Sequence, residues 1–289
     1  MMTEKQHNLI VRTLTGVCFV AIMVAGFLRP EGLILLFATI TGLTMWEYTG
    51  LVNNVEGVTI NRGISTAAGV YFFLAVAGSR TGIVPGLIAF MPYLLTIIYL
   101  FVSELYLKHT NPIADWAYTM FGQMYVALPL SLINILAFQL MPITYLPTYD
   151  MLLPLSVFIF LWLNDTGAYC VGSLIGKHKL FPRISPGKTW EGSIGGGVVV
   201  LILSAVIGYV ANRQPNGHLL SLPQWMGLGL VVVVFGTWGD LVESLLKRTL
   251  GIKDSGNMLP GHGGMLDRFD SSLLAIPASV VYLYTLTLL

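Results

Sequence analysis

Long apolar runs recur through the whole chain, and they constrain its fold more than any other feature. Nine stretches stand out, at about residues 8–27, 32–50, 64–78, 82–102, 117–140, 151–171, 194–210, 225–246 and 272–289. A helix needs ~20 apolar residues to cross ~30 Å of hydrocarbon, whereas a barrel strand needs only ~9–11. Hydrocarbon offers no water to the backbone, so runs of this length must satisfy their peptide groups internally, as helices. The chain therefore reads as an all-α polytopic membrane protein with about nine transmembrane helices. The run at 64–78 is the shortest. Arg12 interrupts the first run and no small-residue cleavage site stands clearly before Arg29, so that run is read as a retained span rather than a removed signal.

Composition excludes other classes. With 55% hydrophobic and only 10% charged residues, the side chains far exceed what one water-soluble core could bury. The longest polar loops hold only about two dozen residues, so residues 1–289 are read as a single integral membrane domain. Its amino-terminal spans occupy 1–150, and its carboxy-terminal spans, 151–289, carry the polar motifs. A formal net charge of +1 gives no basis for nucleic-acid binding. Cys18 and Cys170 both lie in apolar runs and read as packing residues rather than a disulfide or thiolate metal site.

Basic residues set the orientation. With nine spans and a cytoplasmic amino terminus, Lys5, Arg62, Lys108, Lys177, Lys179, Arg183, Lys188, Lys247, Arg248, Lys253 and Arg268 fall on the cytoplasmic side. Only Arg29, Arg80 and Arg213 fall outside, with Arg12 near the cytoplasmic end of the first span. That asymmetry follows the positive-inside rule. The carboxy terminus is then on the opposite face, and the polar segments of the second half face the cytoplasm.

Those segments carry the chemistry. "GTWGDLVESLLKR" places Asp240, Glu243 and Lys247 at i, i+3 and i+7, one face of a helix. Acids at the end of a span are costly unless they meet a partner, water or a metal. One reading is a helix end in water with Glu243 and Lys247 as a surface pair. The other is convergence with Asp267 and Asp270 of "LDRFD", where repulsion between carboxylates is relieved by a divalent cation. Oxygen-only ligands favour Mg²⁺ over Zn²⁺. Between the two acidic groups, Gly256, Gly261, Gly263 and Gly264 permit close approach of backbone N–H groups to an anion. Lys247, Arg248, Lys253 and Arg268 add cationic donors. Together these are the parts of a polyphosphate site. His262 reads equally as a general acid or as a turn residue bonded to backbone. A second polar segment, "NDTGAYCVGSLIGKHKLFPRISPGKTWEG", adds Asn164 and Asp165 at the end of an apolar run, then Lys177, Lys179, Arg183, Lys188 and Glu191. Its "GKT" lacks the earlier glycine and the preceding strand of a P-loop. What remains is a cationic loop suited to a triphosphate or an anionic lipid head group.

"SLLKRTLGIKDSGNMLPGHGGMLDRFD", from Ser244 to Asp270, resembles the signature of the CDP-diacylglycerol synthases, the phosphatidate cytidylyltransferases. "NDTGAYCVG" and "ISPGKTWEG" resemble the family's other cytoplasmic motifs, and "WEY" at Trp46 to Tyr48 resembles a weaker one. The close resemblance covers about residues 164–289. It implies transfer of CMP from CTP to phosphatidate, giving CDP-diacylglycerol and pyrophosphate, with one or two Mg²⁺ ions and room for a monovalent cation. CTP, phosphatidate and membrane lipids are the implied partners, and a homodimer in a bacterial inner membrane is typical of the family. By the same resemblance Asp240 and Asp267 are metal ligands, with Asp165, Asp254 and Asp270 as secondary candidates. Lys188, Lys247, Arg248 and Arg268 are expected at phosphates, with Ser185, Thr189, Gly261, His262, Gly263 and Gly264 in support. Glu47 reads either as a buried acid reaching the same cavity or, in preference, as a structural hydrogen-bonding residue. The alternatives are a CTP-dependent lipid kinase, which would release CDP rather than pyrophosphate, and a secondary transporter. The transporter would carry internal repeats and broken helices at the bilayer midplane, and the sequence shows neither.

Overall fold

A computed structural model describes residues 4–140, 147–213, 220–256, 258 and 263–288. Each apolar run contains most of a helix: α1 Glu4–Phe27, α2 Pro30–Val52, α3 Arg62–Arg80, α4 Met91–Leu107, α5 Pro112–Ala137, α6 Leu152–Ile175, α7 Trp190–Ala211, α8 Leu222–Thr249 and α9 Ser272–Leu288; the run at 117–140 ends in a strand. Two short antiparallel hairpins join them. One pairs β1 Phe138–Leu140 with β2 Pro147–Tyr149, and the other pairs β3 Lys179–Phe181 with β4 Ser185–Thr189. By length and composition, six helical stretches among the described residues qualify as membrane spans: Gly86–Leu107, Pro112–Ala137, Leu152–Ile175, Trp190–Ala211, Leu222–Thr249 and Leu266–Leu286. The protein is an integral membrane protein of all-α class, and the finer count of nine crossings is the sequence's expectation.

Local signals explain where helices begin. Asn61 caps α3 by accepting from Ile64 N–H, and Asn111 caps α5 by accepting from Ala114 N–H, with Pro112 next in line. Thr189 caps α7 the same way, through Gly192 N–H. α5 therefore starts at Pro112, five residues ahead of its apolar run. It also contains a π-helical stretch, Gln123–Ala127. Residues 82–102 differ more, because helix forms only from Gly86 onward and continues to Leu107.

Two compact units share the chain. Unit 1 comprises Met1–Pro154 and Thr249–Phe269; unit 2 comprises Leu155–Arg248 and Asp270–Leu289. Most of the polar signature, Thr249–Phe269, thus folds with the amino-terminal helices. In unit 1, Phe27, Phe37 and Phe269 are fully buried and meet through tilted and edge contacts. Arg80 donates twice to the Phe138 carbonyl, and Tyr149 O–H donates to the Phe27 carbonyl at 2.6 Å. α4 stands apart: Leu94, Leu95, Ile98 and Leu105 are all more than half exposed, an apolar face that suits lipid. Cys18 and Cys170 are free and exposed, so they lie outside the packed core expected for them.

Unit 2 is packed through small residues. A Cβ on Gly192 would stand 2.7 Å from the Ala168 carbonyl, and one on Gly196 would stand 2.5 Å from the Asn164 carbonyl, so α6 and α7 run backbone against backbone. Gly229 accepts Ser204 of α7 against α8 in the same way. Gly239 brings α8 onto the start of α9, where an added Cβ would meet the carbonyls of Asp270 and Ser271 at 2.7 and 2.9 Å.

Candidate functional site

Close packing in unit 2 brings four distant residues together. Gly239 holds Asp240 next to the beginning of α9, and Asp270 there has Asp240, Asp165 and Lys188 as charged neighbours. Lys188 reaches the cluster from β4, its Nζ 2.5 Å from Asp240 Oδ2. Ser244, one turn further along α8, donates to Asp240 Oδ1 at 3.2 Å. Asp165 lies within α6, which continues to Ile175 instead of ending near Val171. Asn164 and Asp165 are therefore inside a helix and not at its end. Asn164 there is buried against the backbone of α7 at Gly196, whereas Asp165 is exposed.

The cluster's chemistry is that of a cation site. Three carboxylates against one ammonium leave a formal deficit of two positive charges. The donors are oxygen only, which fits a hard divalent ion such as Mg²⁺. Among the described residues, only Glu104, His109 and Asp115 bring three ligand atoms within 4.8 Å of one another. An ion held by Asp165, Asp240 and Asp270 together thus requires the acids to draw closer than they stand here. Lys188 meanwhile supplies the positive charge.

Other expected residues have structural partners. Lys247 is paired at 2.6 Å with Glu243, which is fully buried, so the two form an internal ion pair one turn beyond Asp240. That corrects the reading of an exposed pair on a helix end: α8 stays helical to Thr249. Arg248 is exposed at the end of that helix. Thr189 is buried as the cap of α7, which occupies its hydroxyl, and Ser185 lies in β4 opposite Phe181. The segment expected as a cationic loop is helix to Ile175 and then a hairpin. Its base is closed by Glu191, which accepts from the Lys177 and His178 N–H groups and meets His178 Nδ1 at 2.5 Å.

The remainder of the signature is organised in unit 1. Asp267 Oδ2 accepts from Ser255 N–H at 2.9 Å and Gly264 N–H at 2.8 Å. Gly263 adopts φ +80°, a conformation that favours glycine, beside the same carboxylate. Glu47 of α2 fixes the segment from the other side: it accepts from Met265 N–H at 2.8 Å, Leu266 N–H at 3.0 Å and the Ser255 hydroxyl. A side chain on Gly264 would overlap Glu47 and Ser255, so the backbone approach expected of this glycine serves a carboxylate of the protein itself. The flanking residues of the "WEY" motif are structural: Arg62 stacks 3.9 Å over Trp46, and Tyr48 O–H donates to the Tyr118 carbonyl. Asp254 and Arg268 are exposed. Gly261 and His262 lie outside the described residues.

The model of the cytidylyltransferase family matches residues 10–286. A phosphatidate cytidylyltransferase of Staphylococcus aureus strain COL is 50% identical over 123 residues, 43% of this chain and 45% of that protein. The one of Staphylococcus haemolyticus has the same identity and coverage. The one of Haemophilus influenzae is 41% identical over 144 residues, half of each chain. The chain spans about half the length of the curated relatives it matches.

Proposed function

This chain belongs to the cytidylyltransferase family, and we propose that it transfers CMP from CTP to phosphatidate, releasing pyrophosphate and forming CDP-diacylglycerol. The observation that carries the reading is the convergence of Asp165, Asp240, Asp270 and Lys188, from four separated stretches of sequence, within one unit of the chain. The relatives' names point to the same substrates.

A phosphate monoester has a second pKa of about 6, so the lipid arrives at neutral pH with an ionised oxygen and needs no strong base. That oxygen attacks the α-phosphorus of CTP, a new P–O bond forms, and the bond to the β-phosphate oxygen breaks with departure of pyrophosphate. The difficulty is repulsion between two polyanions, so the residues act by positioning and neutralisation. Asp240, with Asp165 and Asp270, would hold Mg²⁺, which when bound screens the triphosphate and the leaving pyrophosphate. Lys188 places a cation against the same carboxylates and is suited to exchange that contact for a phosphate oxygen. Ser244 steadies Asp240 through its Oδ1. Asp267 keeps the ligand role that the signature implies for it. Arg248 and Arg268, both exposed, are the proposed contacts to dissolved phosphates. The distribution of basic residues supports a cytoplasmic location for these groups, and the proposed setting is a bacterial inner membrane, where CTP meets a lipid whose tails stay in the bilayer.

The test supplies the purified chain with phosphatidate, Mg²⁺ and CTP labelled at either the α- or the γ-phosphate. Cytidylyl transfer puts the α-label into lipid and the γ-label into pyrophosphate. Entry of the γ-label into lipid, with release of CDP, would establish the kinase reading instead.

A further inference from the structure

The connection between α4 and α5 holds a cluster that cytidylyl transfer does not use. Glu104, in the last turn of α4, and Asp115, in the first turn of α5, are only 8% and 1% exposed. Among the described residues neither carboxylate pairs with a lysine or arginine; both meet His109. Its Nδ1 lies 2.9 Å from Glu104 Oε2 and 3.1 Å from Asp115 Oδ2, and all three atoms lie within 4.8 Å of one another. The chain is shaped to bring them there: Lys108 takes a left-handed conformation at φ 52°, and Asn111 then caps α5. The second oxygen of Asp115 accepts from Thr59 N–H at 2.6 Å, which orients the carboxylate and leaves Oδ2 turned to the imidazole.

Charge makes this group unusual. Two buried carboxylates carry a formal −2 with a neutral histidine, and −1 with an imidazolium whose single Nδ1 proton both oxygens must share. Buried charge without full compensation costs several kcal/mol, and a bound cation removes that cost. The separations from Nδ1 are close to those of a coordinated set: ligands around an ion with bonds of about 2.1 Å stand about 3.0 Å apart at right angles and about 3.4 Å apart at the tetrahedral angle. One imidazole nitrogen with two carboxylate oxygens selects a first-row transition ion over Mg²⁺ or Ca²⁺. The side chain of His109 is 22% exposed, so the remaining coordination positions can be filled by water.

We propose that Glu104, His109 and Asp115 bind a divalent transition ion of the zinc class, which ties the α4–α5 connection to the loop before α3. The ion is structural. All three ligands lie in unit 1, Asp165, Asp240 and Asp270 lie in unit 2, and the inference does not depend on the transferase reading.

The experiment uses the full chain in detergent, stripped with a chelator and titrated with Co²⁺, followed by displacement with Zn²⁺. One tightly bound equivalent with visible ligand-field absorption is expected. It should persist in Asp240→Asn and weaken at least about tenfold in His109→Gln. Zn²⁺ should raise the melting temperature of the wild type and not that of His109→Gln. Should His109→Gln fail to fold, the near-isosteric Asp115→Asn takes its place. Stripped wild-type protein that binds no Co²⁺ beyond what Asp240→Asn removes would overturn the proposal, as would undiminished binding in both ligand variants.

Discussion

Replacing Glu47 by alanine should loosen a segment more than two hundred residues away. The carboxylate accepts from two backbone N–H groups, Met265 and Leu266, and from the Ser255 hydroxyl, and it is only 9% exposed. Alanine leaves these donors in a buried site without an acceptor, at about 1–3 kcal/mol for each donor that water cannot reach. Partial rehydration of the opened space reduces the sum, so a loss of about 2–4 kcal/mol in the local stability of residues 263–269 is expected. Since each 1.4 kcal/mol is a factor of ten, amide exchange in that segment should accelerate at least about 30-fold. Hydrogen–deuterium exchange with peptide readout measures this directly, with α7 peptides as an internal reference. Glu47→Gln should fall between, because it keeps one acceptor and turns a donor toward a donor. Exchange in 263–269 within about threefold of wild type in Glu47→Ala would refute the reasoning, since the contacts would then carry no weight.

Gly239→Ala places a methyl group 2.7 Å from the Asp270 carbonyl and 2.9 Å from that of Ser271. Backbone must give way, so a cost of about 1–3 kcal/mol and a fall in turnover of at least about tenfold are expected. Gly197→Ala, whose new atom would meet only Val233 at 3.4 Å, serves as the control with wild-type melting and turnover. Lys188→Met removes the ammonium from Asp240. Divalent-ion affinity measured by Mn²⁺ paramagnetic resonance should rise while turnover falls, and a weaker Mn²⁺ affinity would contradict the role given to Lys188. Asp267→Asn should abolish turnover with the chain inserted and folded; wild-type-like activity at saturating Mg²⁺ would remove Asp267 from the ligand set.

The helices were legible because the bilayer demands length and hydrophobicity together, and each apolar run turned out helical. Helix ends were read less well where polar residues interrupt an apolar stretch. α6 continues past Asn164 and Asp165 because Gly196 and Gly192 of α7 press against it, a tertiary reason that a local pattern cannot hold. α5 begins at Pro112, a start that the Asn111–Pro112 pair does signal. The acids of the candidate site stood out in the sequence because ionisable groups are rare in such a chain. What joins Asp165, Lys188, Asp240 and Asp270 is glycine packing between helices, which sequence spacing does not reveal. Glu47 was read as a structural hydrogen-bonding acid, but its partners lie 208 to 219 positions away and could not be named from the sequence. His109 drew no notice in the sequence, because Glu104, His109 and Asp115 follow no metal-ligand spacing and converge only through the turn at Lys108.

The most direct measurement is the Mg²⁺-dependent transfer of α-label from CTP to phosphatidate, with wild type and Asp240→Asn side by side in matched, folded preparations. The account predicts labelled lipid and pyrophosphate from wild type, and a loss of at least about a hundredfold in the variant, since removing one group that stabilises transition-state charge costs that much. Comparable transfer by Asp240→Asn would contradict the claim that the carboxylates around Lys188 hold the metal ion that neutralises the reacting phosphates.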